Sequence, residues 1–157
     1  MTNKVYHLEV EEEPIEEHWI AIHSSLEAHQ IAFYLNKQTS LLFKRVKKDL
    51  KNEKKEGVFL LFEWEDLISD VKCQLISNKS IQEISNSQTN NGTLFELPEI
   101  NEVSLFSEFK QADFFIKSSN IETLNTIQDQ LTNWYKVTMS YKISLEKIKN
   151  QLNLIFD

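Results

Sequence analysis

Only two glycines, Gly57 and Gly92, occur in the 157 residues of this chain, and that scarcity removes whole classes of chemistry. The Gly-x-Gly-x-x-Gly turn, the Walker A loop and the Gly-x-Ser-x-Gly elbow each need closely spaced glycines, for tight turns or for backbone approach to a phosphate. Rossmann dinucleotide binding, P-loop nucleotide hydrolysis and α/β-hydrolase chemistry are therefore excluded. Cysteine is scarcer still. Cys73 stands alone, so no internal disulfide and no cysteine-based zinc site can form, and a reducing cytoplasm is the expected compartment. Its place between Val71 and Leu75 in an alternating run reads as a small core residue rather than an activated thiol. No window approaches the ~18 apolar residues of a membrane span, and Met1 to Val10 turns acidic without the apolar stretch of a signal peptide. A membrane is not an expected partner. Excess basic charge is lacking too: the formal net charge is −7, the wrong sign for a protein that neutralises phosphates.

What is present suffices for a core. The chain is 41% hydrophobic with ten phenylalanines, and a chain of this length buries roughly 70% of its unfolded surface. One domain spanning 1–157 is expected. A spacer rich in Asn, Ser and Gln, at about 78–92, reads as a polar, mobile loop within it.

Two segments share one plan. Trp19 to His23 reads as a short apolar strand, followed by Ser24-Ser25-Leu26-Glu27 and a helical run to Asn36. Phe114 to Lys117 reads likewise, followed by Ser118 to Glu122 and a helical run to Asn133. Each junction spells a Ser-x-x-Glu capping box, Ser24 with Glu27 and Ser119 with Glu122. Ala28, Ile31, Ala32 and Leu35 recur at helical spacing, as do Leu124, Ile127, Leu131 and Trp134. Asn36 and Asn133 suit the left-handed conformation that ends a helix. Strand-like sequence follows each helix: Leu41 to Val46, and Tyr135 to Ile143 with Val137, Met139, Tyr141 and Ile143 alternating. Val58 to Trp64 and Ile68 to Ile76 read as a hairpin turning near Glu65-Asp66. Tyr6, Leu8 and Val10 alternate as an N-terminal strand, Thr93 to Leu97 looks like another, and Leu145 to Phe156 fits a helix or a docked tail. The expected fold is α+β: a two-layer sandwich of a mostly antiparallel sheet with two helices on one face, ferredoxin-like with extra strands. Its other face, left exposed, would serve dimerisation.

Three groups of residues carry candidate chemistry. Glu108 and Asp113, five apart at the entry to the strand Phe114-Phe115-Ile116, could act as an acid–base pair or hold a cation; equally, Asp113 could accept backbone N–H bonds that fix the turn. His23 sits beside Ser24 at a strand-to-helix junction, but adjacent strand residues point to opposite faces, and a nucleophile also needs an oriented base and an oxyanion hole. His7, His18, His23 and His29 match no zinc spacing. Lys44, Arg45, Lys47, Lys48, Lys51, Lys54 and Lys55 form a basic segment opposite an acidic block at Glu9, Glu11, Glu12, Glu13, Glu16 and Glu17. The basic segment could contact RNA or an acidic partner, yet Lys47 to Lys55 carry no interleaved aromatics for base stacking, and like charges also deter edge-to-edge aggregation. Phe59, Phe62, Trp64, Phe95, Phe106, Phe109, Phe114 and Phe115 are expected in the core, with Phe114 and Phe115 on opposite faces.

The nonamer Phe106-Ser107-Glu108-Phe109-Lys110-Gln111-Ala112-Asp113-Phe114 resembles the signature of the IPExxxVDY family, small bacterial proteins of uncharacterised role. Glu108 and Asp113 fall on its Glu and Asp at the same spacing. Phe106 replaces Ile, Ser107 replaces Pro, Ala112 replaces Val and Phe114 replaces Tyr, so the fixed φ of Pro and the Tyr hydroxyl are absent. The order of segments and the terminal Asn153 to Phe156 also look like the family. The resemblance implies no reaction, cofactor or ligand. The expected function is a non-catalytic interaction module that forms a homodimer and meets an unknown protein partner. The alternative is a small-ligand binder or enzyme with a cleft near Glu108, Asp113 and His23, and the third is nucleic-acid contact through residues 44–55.

Overall fold

The computed structural model describes residues 16–52, 57–84 and 99–144. The expected elements near Tyr6 to Val10, Thr93 to Leu97 and Leu145 to Phe156 lie outside them. The described strands are β1 (His18–Ser24), β2 (Lys44–Arg45), β3 (Leu50–Asn52), β4 (Gly57–Phe59), β5 (Leu61–Asp66), β6 (Val71–Ser77), β7 (Lys79–Ile84), β8 (Glu99–Ser104), β9 (Phe114–Ser118) and β10 (Val137–Ile143). Helix α1 (Ala28–Gln38) follows β1, and α2 (Ile121–Thr132) joins β9 to β10. Six strands make one antiparallel sheet in the order β10-β1-β9-β6-β5-β2, while β3 pairs with β4 and β7 with β8 as separate ribbons. The architecture is the α+β sandwich predicted from the sequence.

Alternation along the strands builds two cores. Ile20, Ile22, Cys73, Leu75, Phe114, Ile116 and Phe62 face the helices and pack with Ala28, Ile31, Leu35, Leu124, Ile127 and Leu131. The intervening Trp19, Ala21, Phe115, Ile76 and Leu61 face the other way. That second face is not left bare. Phe59 of β4 and Leu105, Phe106 and Ala112, which lie between β8 and β9, roof its apolar half. Trp19, Phe106 and Phe115 meet edge to face, with centroids 5.0 Å apart for Phe106–Phe115 and 6.0 Å for Trp19–Phe106. Edge-to-face contacts of this kind each add about 0.5–1.5 kcal/mol beyond burial. The exposed apolar sheet face expected for dimerisation is thus occupied by the chain's own ribbons.

Several local expectations shift by a residue or more. Helix α1 is capped by Glu27, whose side chain pairs reciprocally with Gln30, and α2 by Asn120, whose Oδ1 accepts from the Thr123 N–H. Ser24 and Ser119 do other work: Ser24 Oγ donates to the Lys136 carbonyl, and Ser119 Oγ accepts from the Lys72 N–H. Neither asparagine turns left-handed. Asn36 lies inside α1 and grips the backbone N–H and carbonyl of Phe43, and Asn133 keeps right-handed helical angles. The positive φ falls instead on Asp70, in the turn 67–70 that closes the β5–β6 hairpin. The hairpin therefore turns later than Glu65-Asp66. A bulge opposite His23 and Ser24 puts Val137 on the helix side, away from Tyr141 and Ile143 on the second face. Residues 79–84, expected in a loop, form β7.

Candidate functional site

Asp113 sits one step before β9, where it prolongs the ladder with β1. Its N–H donates to the Ile22 carbonyl at 2.8 Å. One carboxylate oxygen accepts from the Ser24 N–H at 2.9 Å, and the other meets Lys79 Nζ at 3.0 Å. Both oxygens are engaged in holding β1 and β7 to the start of β9. The hydrogen bond that Lys79 donates to Asp113, together with the nearby charges of Asp113 and Glu102, raises the pKa of Lys79 against a smaller opposing effect of burial.

Glu108 is elsewhere in character. It lies in a single 3-10 turn, Ser107–Phe109, is exposed, and accepts only a long 3.4 Å bond from the Ser107 hydroxyl among the described residues. No hydrogen bond or ion pair joins it to Asp113 among the described residues, and the two carboxylates have different surroundings, one exposed and one held by Ser24 and Lys79. His23 is half-buried on the second face, with Nε2 3.2 Å from the Tyr141 hydroxyl and the rings tilted against each other. Ser24, on the opposite side of the strand, is used up by Lys136 and by the Leu26 N–H. The structure places no Ser–His pair here.

The residue that organises the nonamer is Asn78, which the sequence reading placed at the start of a loop. It is fully buried. Its Nδ2 donates to the carbonyls of Phe109 and Ala112 at 2.9 and 2.7 Å, and its Oδ1 accepts from the Phe106 N–H at 3.0 Å. Its own N–H donates to the Asp113 carbonyl and its carbonyl accepts from the Leu105 N–H. One side chain thus satisfies backbone groups along the whole turn that leads from Phe106 into β9.

The second sheet face has a polar half, and that is where unused hydrogen-bonding capacity gathers. Strand register sets Trp19, Lys117, Gln74 and Glu63 side by side across β1, β9, β6 and β5. Lys117 Nζ reaches Glu17 at 3.1 Å and lies 5.6 Å from the Trp19 ring centre. Gln74 donates to Glu63, which also meets Lys72 at 3.5 Å. Burial holds the Lys117 pKa below its ordinary value, and Glu17 opposes that shift only in part. Two buried polar atoms among the described residues have no partner, Trp19 Nε1 and Gln74 Oε1, and they flank Lys117 in this row. An unsatisfied buried group costs about 1–3 kcal/mol. A groove of about 570 Å³ is lined by Gln74, Lys117 and Lys72, by the acids Glu17, Glu65 and Asp70, and by Ser119 and Asn120 where α2 begins; Trp19 lies next to Lys117 in the row and not in the groove wall. The sequence signal was legible in principle: Lys72, Gln74 and Lys117 are polar at alternate positions of two strands that are otherwise buried.

The remaining candidates have ordinary explanations. Cys73 is buried against the Ser118 hydroxyl, and burial raises its pKa, as befits an inert thiol. Of the basic segment, Lys44 and Arg45 are exposed on the short strand β2, and Arg45 is paired with Asp49 and lies over Phe62; Lys54 and Lys55 lie outside the described residues. No cluster of three or more His, Cys, Asp or Glu suited to a metal occurs among the described residues, and no described helix is long and apolar enough to cross a membrane.

The fold and these contacts define an α+β protein in which the segment from Phe106 to Phe114 is built as a joint. No protein-family model, curated protein or solved structure matches the chain.

Proposed function

We propose that the protein is a non-catalytic interaction module of the bacterial cytoplasm that forms a homodimer through its β10 edge, with a core of ferredoxin-like order and kinship to the IPExxxVDY proteins. One observation carries the self-association: the two sheet edges are built differently. At one end β2 is two exposed basic residues, Lys44 and Arg45, the kind of short charged edge that resists pairing. At the other, β10 runs seven residues with Lys142 its only charge, and Met139 lies 52% exposed beside half-buried Tyr141 and Ile143. Among the described residues no strand pairs with its outer side. An antiparallel pairing of β10 with its own copy satisfies those backbone groups and covers Met139 by symmetry. Order β10-β1-β9-β6 with helices after β1 and β9 supports the ferredoxin-like reading.

The engagement of both Asp113 oxygens and the solitary position of Glu108 favour this reading over an enzyme with a cleft at those residues. Sedimentation equilibrium of the full chain tests it. The wild type is expected to be a dimer, and Met139→Lys, an exposed substitution that spares the core, to weaken self-association at least about tenfold by placing like charges together. A wild type that stays monomeric, or a variant that dimerises equally well, would contradict it.

A further inference from the structure

We propose that the polar half of the second sheet face is a binding site for a small zwitterion, an α-amino acid or the equivalent end of a short peptide. The inference is independent of the β10 interface. It rests on the pair of orphaned atoms that bracket Lys117, one a donor, the indole N–H of Trp19, and one an acceptor, Oε1 of Gln74. Both side chains are almost fully buried, at 1% and 3% exposed, and Gln74 lines the groove that opens there. A ligand that repairs both must itself accept and donate.

The charges around the row narrow the chemistry. Lys117 and Lys72 bring positive charge to the groove, while Glu17, Glu65 and Asp70 bring negative. A simple anion would face three carboxylates and a simple cation two ammonium groups. A molecule with a carboxylate and an ammonium a few ångströms apart matches both. Its carboxylate draws Lys117 Nζ from Glu17 and accepts from Trp19; its ammonium donates to Gln74 Oε1 and the released Glu17. Lys117 lies between the two orphaned atoms in the row, and binding moves its ammonium off Glu17 to reach them. The groove, about 570 Å³, lies within the range of small-molecule pockets, and Ser119 and Asn120 border it on the side where α2 begins.

The test is an NMR shift titration of the full chain with each common α-amino acid and with the single-charge probes acetate and methylamine, up to about 10 mM. At least one amino acid is expected to give saturable shifts at Lys117, Gln74 and the Trp19 indole, with neither single-charge probe reproducing them. Trp19→Phe keeps an aromatic ring and deletes the N–H, and Gln74→Met keeps the side-chain length and deletes the acceptor. Each is expected to weaken binding about tenfold or more while its spectrum remains that of the folded protein. The absence of saturable shifts with every amino acid overturns the proposal. So does equal binding by acetate alone, or undiminished binding by both folded variants.

Discussion

At the scale of single residues, a buried asparagine outweighs the two acids Glu108 and Asp113 singled out in the sequence. Asn78 makes three side-chain hydrogen bonds to the turn Phe106 to Ala112 with no access to water, whereas Glu108 is solvated. Removing one partner of a buried bond leaves the other unsatisfied, at about 1–3 kcal/mol each. Asn78→Ala is therefore expected to lower the unfolding free energy by about 3 kcal/mol or more in a urea titration, and Glu108→Ala to stay within about 0.5 kcal/mol of wild type. Lys117 supplies a pH signature. Its folded pKa lies below the ordinary 10.5, first because of burial, so between those two values the unfolded chain binds more protons than the folded one. Stability then rises with pH across that window. Urea titrations of wild type and Lys117→Met over a series of alkaline pH values are expected to show the wild type gaining on the variant as pH climbs toward 10.5, a gain already lost once pH falls through the folded value. A pH-independent difference would contradict the assignment.

At the scale of elements, helix starts were legible as places but not as atoms. Ser and Glu cluster at both junctions, with Asn120 added at the second, and several of them can cap. Which one does so depends on where the preceding strand releases the chain. Ser24 and Ser118 close small turns onto the N–H groups of Leu26 and Asn120, which pushes the caps on to Glu27 and Asn120. Asn120→Ala is expected to cost about 1 kcal/mol by thermal or chemical denaturation. The strands β1, β9 and β10 were readable because their apolar residues alternate or run together. β7 was not, because Lys79-Ser80-Ile81-Gln82-Glu83-Ile84 owes its strand form to backbone pairing with β8, a segment distant in the chain. Asn78 was missed for the same reason. Its partners lie 28 to 34 positions away, and nothing local distinguishes it from the other asparagines of the spacer.

At the scale of the molecule, the sheet divides by function. One face carries the helices. The other is split between an apolar half roofed by Phe59, Leu105 and Phe106 and a polar half around Lys117. The α+β class followed from the periodicity of the two strand–helix–strand segments and the strands around them. The roof did not, because a two-layer reading has no reason to expect short ribbons on the second face. With that face covered, the proposed self-association moves from the open sheet to the edge at β10. Amide hydrogen exchange across Val137–Ile143, followed as protein concentration is varied, tests the proposed pairing of β10 with a second copy most directly. Alternate amides of β10, those directed away from β1, are expected to exchange more slowly as concentration rises, while β2 is unaffected. Exchange along β10 that is independent of concentration would contradict it.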